Sequence, residues 1–296
     1  MHAVHRLRGG EAIAAPGDVA ARGVPRRVWL GRALTAVGGW LVAGRLSASP
    51  PSQADTSAQA REQAIQTLPL EELTGEARRK LMAVCQRPSI YRRLPAISFP
   101  CDPLLHLFLI RNPEVVVNIW QLMGVASMSA QRLGPYLWKG SDGVGTTCEV
   151  ELVYGTEELH VLYSDGYYEG SLLKNKVTGR CVLVLQSQHQ VGRDGRPYMA
   201  DRLDLFVQID NTAADVIART IAPWVGKVAD ANFHESCQFA SKLWQTAEQN
   251  GAGVQRLAEK LTAVDPPVRE QFIQLVAAMP ERAAARQPLA TPTRRS

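Results

Sequence analysis

Histidines and carboxylates bind metals and relay protons, and the middle of the chain holds His160 and His189 among Glu149, Glu151, Asp201 and Asp204, with His234 farther on. Brought together, such a set would support a divalent metal or a general acid–base pair. The spacing does not spell out a dedicated motif. His234-Glu235 lacks the second histidine, four residues after the first, that a zinc-protease helix requires, and no glycine loop has P-loop or dinucleotide spacing. No G-x-S-x-G elbow is present. Scattered residues of these types are expected on any solvated sheet face, so no catalytic residue, metal ligand or cofactor is assigned.

Five cysteines, Cys85, Cys101, Cys148, Cys181 and Cys237, form no CxxC pair, which argues against a zinc ribbon or a disulfide framework. They read as thiols buried as small hydrophobes. The alternatives are a bridge between Cys148 and Cys181, if their strands are neighbours, or between Cys85 and Cys101. His106 lies inside the apolar run Leu104–Ile110 and reads as a hydrogen-bonded core histidine. Arg202 and Asp204 share a strand face with Phe206, as cross-strand charge pairs on an exposed face or as polar groups at a cavity mouth. The bases Arg78, Arg79, Lys80, Arg87, Arg92 and Arg93 admit peripheral membrane contact, but Glu71, Glu72 and Glu76 dilute them toward a solvated helix face.

The stronger signal is apolar. Val150, Leu152, Tyr154, Val161, Tyr163, Leu183, Leu185, Leu205 and Val207 recur at strand spacing, followed by Trp224, Phe233 and Trp244 at helical spacing. A sheet with one apolar face must bury it, so these side chains line either a ligand cavity between sheet and helix or an ordinary filled core. Periodicity records burial and does not separate the two.

The elements that position them follow from pattern. Residues 55–66 are rich in Ser, Gln, Ala and Thr and read as a linker. A helical lead-in spans 67–124: Leu70, Leu73, Ala77, Leu81 and Val84 or Cys85 form one stripe, and a later helix opens at Asn112-Pro113, with Asn112 as N-cap and Val116, Val117, Trp120 and Met123 on its apolar side. Between 135 and 210 the period switches to two, with turns expected at Gly155-Thr156, Asp165-Gly166, Thr178-Gly179 and Asp194-Gly195. Connections this short make the strands antiparallel. Helices follow over 212–280, the first interrupted or kinked at Pro223, and residues 281–296 read as a disordered tail. The fold class is therefore α+β: a single domain over 67–280, with an antiparallel meander of five or six strands packed on a long C-terminal helix.

That element order, carried by Asp165-Gly166, Asp194-Gly195 and the helix from Trp224 to Trp244, resembles the helix-grip fold of the START and polyketide-cyclase-like superfamily over residues 112–250. The resemblance implies a curved sheet wrapped around the C-terminal helix and an apolar cavity between them. Members mostly bind lipids, sterols or other hydrophobic molecules, and some are cyclases or aromatases.

The first 54 residues read as an export leader. Arg26, Arg27, Trp29 and Leu30 precede the mildly apolar run Ala33–Gly44 and then Arg45, and the segment resembles bacterial twin-arginine translocation signals. Pro25, Gly31 and Arg32 depart from that pattern and leave a general secretory signal or an uncleaved tether as alternatives. Ser52-Gln53-Ala54 suits a cleavage site, and the apolar run is shorter than the roughly 20 residues that span a bilayer. Seven arginines against Glu11 and Asp18 give this leader the whole chain's net charge of +5. The remainder is neutral, so nothing in its charge argues for nucleic-acid binding.

Three functions are compatible with these features. The first is an exported, noncatalytic domain, periplasmic or secreted, that binds a hydrophobic small molecule or lipid and loses it when Leu205 is enlarged to Trp. The others are an envelope protein-interaction domain with a filled core, whose partner the sequence does not identify, and a cyclase- or hydrolase-like enzyme using the same pocket.

Overall fold

Both N-terminal helices begin on a hydroxyl cap. In the computed structural model, which describes residues 53–286 apart from Leu172, Lys174 and residues 211–213, and the backbone alone of 214–217 and Trp224, Ser57 Oγ accepts the Ala60 N–H at 3.1 Å and opens α1, Ala58–Gln66. Thr74 does the same for Ala77 and opens α2, Gly75–Cys85. The expected linker is thus largely a helix. Its buried residues, Ala60 and Ala64, stand one turn apart and are small enough to lie close against the sheet. Alanines give little hydrophobic signal, which is why composition reads this stretch as a linker.

Two short strands follow, β1 (Ile90–Arg93) and β2 (Ile97–Pro100), where Pro88, Pro95 and Pro100 suggest only a broken chain. Proline is tolerated on edge strands, and both pair along one side of the last strand. Asp102 caps α3 (Pro103–Arg111) by accepting from the Leu104 and Leu105 amides. Asn112 stands at the N-cap position of α4 (Pro113–Leu122) without capping it; its amide donates to the Phe108 carbonyl and its Oδ1 accepts from Arg132. The fully buried side of α4 carries Glu114, Val115, Asn118 and Ile119; of the residues expected there, Val116 packs half-buried against the inner core and Trp120 against Phe239, Val117 is half-buried, and Met123 is exposed. Glu114 tolerates burial because Arg132 pairs with it and Trp138 Nε1 donates to it at 2.7 Å.

Six further strands form the meander: β3 (Ser129–Gly134), β4 (Leu137–Ser141), β5 (Thr146–Gly155), β6 (Leu159–Tyr168), β7 (Val177–Val191) and β8 (Pro197–Ile209). All are antiparallel, in the order β1-β8-β7-β6-β5-β4-β3, with β2 also on β8. Asp194-Gly195 makes its turn, with Gly195 at φ 73°. Asp165-Gly166 and Thr178-Gly179 do not; they lie inside β6 and β7, where Gly166 pairs with Gly179. After the sheet, α5 runs 36 residues, Ala214–Gln249, with Pro223 inside it, and α6 (Gly251–Glu259), α7 (Pro266–Ala277) and α8 (Met279–Arg286) complete the described chain. The start of the expected tail, Glu281–Arg286, is therefore helical. Expectations for 1–52 and 287–296 fall outside the described residues.

Each central strand presents apolar residues to both sides. Toward α5, Leu183, Leu185, Leu203, Leu205 and Met199 join Leu105, Leu109, Phe233, Trp244 and Phe272 in one core. On the opposite side Val161, Val182, Val184, Phe206 and Tyr91 pack under α1 and α2. These are called the inner and outer faces below. More than one helix closes the inner face, since α3, α4, α6 and α7 also contribute to its core. Among the described residues no helix is long and apolar enough to cross a membrane.

Candidate functional site

The inner face is not filled along its whole length. Where α5 begins, a cavity of about 230 Å³, partly open to solvent, lies over the ends of β5 to β8. Ile221 and Val225 roof it from α5, and Leu173, from the connection between β6 and β7, closes one side. Its floor follows from the strand register, which places Cys148, Gly166, Gly179 and Ile209 in one row and Ser164, Cys181 and Val207 in the next.

The two glycines leave that floor bare. A Cβ on Gly166 would stand 2.4 Å from the Thr147 carbonyl oxygen, and one on Gly179 would stand 2.8 Å from that of Gln208. Neighbouring backbone therefore excludes side chains at both positions. Burial pushes the Cys181 thiol up to about 12, with Cys148 adding to the effect, and burial also raises Cys148, ahead of Asp142. Both thiols are protonated at neutral pH and poor nucleophiles.

Of the residues expected to line a cavity, Val207 does so. Leu183, Leu185, Leu205, Phe233 and Trp244 are in the filled part of the inner core. Val150 and Leu152 are on the same face of β5, opposite Ser164 and Leu162. Tyr154, Val161 and Tyr163 pack on the outer face and belong to no inner cavity. For Tyr154 the cause is a bulge: Leu152 pairs with Leu162 but Tyr154 pairs with Val161, so the extra residue Val153 reverses the alternation. Val161 and Tyr163 are apolar because α1 and α2 cover their side of the sheet. The Trp224 side chain lies outside the described residues. Reasoning from period missed Gly166, Gly179, Ile221 and Val225; two glycines within apolar strands were the available signal of close backbone approach.

At the other end of the inner face the packing is polar and closed. His106 Nε2, on α3, lies 2.7 Å from Asp201 Oδ2 on β8, with both side chains buried. Ser187 is paired directly with Asp201 across β7 and β8. His160, fully buried on β6, has Arg111 at 3.5 Å from its Nε2. Burial, and then Arg111, hold it down to about 4, so it is neutral. Asp201 Oδ1, Ser187 Oγ and His160 Nδ1 have no hydrogen-bond partner among the described residues.

The remaining sequence candidates disperse. Asp204 is not exposed: it is fully buried on the outer face, where Tyr91 donates to it at 2.7 Å and Arg93 Nε at 2.8 Å. Glu151 meets Lys80, and His234 contacts Gln238 on the surface of α5. Among the described residues no group of three His, Cys, Asp or Glu side chains is arranged to hold a metal ion. All five cysteines are free. Cys148 and Cys181 sit on β5 and β7 with β6 between them, and Cys85 and Cys101 pack into different cores, which accounts for the absence of either bridge.

No protein-family profile and no curated protein matches the chain. Among solved structures, it is similar to a conserved protein from Geobacillus kaustophilus, with 10% sequence identity and a TM-score of 0.38 over 50% of this chain and 93% of that one.

Proposed function

We propose that this chain is a noncatalytic helix-grip domain that binds a hydrophobic small molecule, or the apolar part of a lipid, between the sheet and the start of α5. The observation that carries the reading is the cavity of about 230 Å³, apolar in most of its lining and floored by Gly166 and Gly179. A dry cavity of about 150 Å³ already suffices for benzene, so this one takes a ring or a short chain. The strand order supports the helix-grip part, with β1 and β2 beside β8 and the long α5 directly after it. Binding is favoured over turnover because both cavity thiols are protonated, while the buried histidines lie at the far end of the sheet without access.

Native mass spectrometry of the full chain purified without detergent, with organic extraction, tests this reading. Discrete added mass that matches an extracted apolar compound is the expected result. A bare chain that takes up nothing from mixed lipids and small aromatics would favour an envelope interaction domain instead. The leader is part of the same proposal: Arg26, Arg27 and the apolar run after them support export by the twin-arginine route to the periplasm or beyond. An envelope fraction whose mature N-terminus lies near Asp55 is expected, and an intact leader on cytoplasmic protein would overturn it.

A further inference from the structure

We propose that the guest of this cavity is uncharged, an apolar body bearing at most a hydroxyl-sized polar group, and that carboxylates and ammonium ions are rejected. The inference rests on the binding reading above and narrows it to a ligand class. The described polar side chains facing the cavity carry no formal charge: the hydroxyls of Thr146, Ser164 and Tyr168 and the thiols of Cys148 and Cys181. Ser164 stands directly across from Cys181, in the middle of the floor; beside its hydrogen bond to the Cys181 side chain its oxygen can still accept from a single guest hydroxyl.

Three described cations near the cavity are committed elsewhere. Arg180 contributes to the lining, but strand alternation turns its side chain to the outer face, beside Asp165, where Asp210 holds the guanidinium. Lys176 lies 3.5 Å above the Tyr167 ring and pairs with Glu169. Arg92 is held by Asp230 on α5. A carboxylate entering the cavity would lose its water and meet no cation among the described lining side chains, whereas an alcohol exchanges one hydrogen bond to water for one to Ser164.

Calorimetric titration of the full chain near pH 7 with three isosteric probes decides this: cyclohexylmethanol, cyclohexanecarboxylate and cyclohexylmethylammonium. The alcohol is expected to bind at least about 30-fold more tightly than either ion. Because only the protonated acid would enter, apparent affinity for the carboxylate should rise about tenfold for each unit that the pH is lowered from about 8 to about 6. Val225→Phe, which places a ring in the cavity, should abolish alcohol binding, and Ile221→Phe serves if that variant does not fold. An ion within about threefold of the alcohol, with binding still lost in the variant, would overturn the charge inference and leave the cavity reading standing. Failure of all three probes, or alcohol binding unchanged by the ring, would overturn the cavity reading and this inference with it.

Discussion

The two ends of the inner sheet face, built from the same four strands, have opposite characters. Where α5 begins, Gly166 and Gly179 leave a hollow with neutral walls. Under α3, His106, His160, Ser187 and Asp201 fill the space with polar groups that solvent does not reach. One end has room without strong acids or bases, and the other has acids and bases without room. Catalysis needs both in one place, since a general acid or base must stand within hydrogen-bond reach of its substrate. Their separation by the packed layer of Leu183, Leu205 and Phe233 is the physical reason to read the cavity as a receptor and the polar cluster as a fastener. That fastener holds α3 to β8.

The comparison breaks most severely at the polar end. His106→Ala strands a buried Asp201 carboxylate whose second oxygen already lacks a partner, and stability should fall by about 3–5 kcal/mol in denaturant titrations. Binding of cyclohexylmethanol at the other end should persist in whatever fraction remains folded. A loss below about 1 kcal/mol, the scale of an exposed pair, would mean that the cluster fastens nothing.

His160 gives the same end a pH signature. Its pKa is about 4 in the folded chain, and an unfolded histidine titrates near 6.5. Between those values the unfolded chain takes up a proton that the native chain refuses, so this contribution is intact above about pH 6.5 and is lost as the pH falls toward 4. The loss amounts to about 3 kcal/mol. His160→Leu should remove it. Unfolding free energies measured at neutral pH and near pH 4 should therefore diverge between the two proteins, and parallel losses would show that another group carries the acid sensitivity.

These two ends were unequally legible. Alternation over 146–155 and 197–209 and the amphipathic run through Phe233, Cys237, Ala240 and Trp244 identify the sheet and its long helix, because burial on one face leaves a periodic trace. The dipeptide Asp194-Gly195 makes a turn and Asp165-Gly166 does not, although each suits one. The difference lies across the sheet: Gly166 is opposed by Gly179 and crowded by Thr147, and no local propensity registers a partner on another strand. α1 escaped notice because alanines bury it, β1 and β2 because prolines flank edge strands. Leu205 and Val207 look equivalent in sequence and both pack against the inner core, yet Val207 also borders a void, a distinction set by glycines on β6 and β7 and by where α5 starts.

At the hollow end the glycine floor is the next point of attack. Gly166→Ala forces a methyl into the Thr147 carbonyl and Cys148, and should cost about 1–3 kcal/mol as the strands separate. Because the same shift opens the floor, affinity for the alcohol probe should change with it. Thermal unfolding with and without probe measures both; an unaltered midpoint would mean that the strands are not in close approach there.

The smallest expected effect sharpens the comparison most, because it sets the same chemical change against both kinds of packing. Leu205→Phe enlarges a side chain already enclosed by the inner core, and such overpacking should cost about 1–3 kcal/mol. Val225→Phe projects its ring from α5 toward space that no described side chain occupies, so most of the new apolar surface is buried without displacing a described neighbour. Its stability should stay within about 1 kcal/mol of the parent, while cyclohexylmethanol binding disappears. Equal penalties at the two positions would indicate that the end near α5 is as tightly filled as the centre. Near-neutrality at Val225 with retained binding would place the guest elsewhere in the fold.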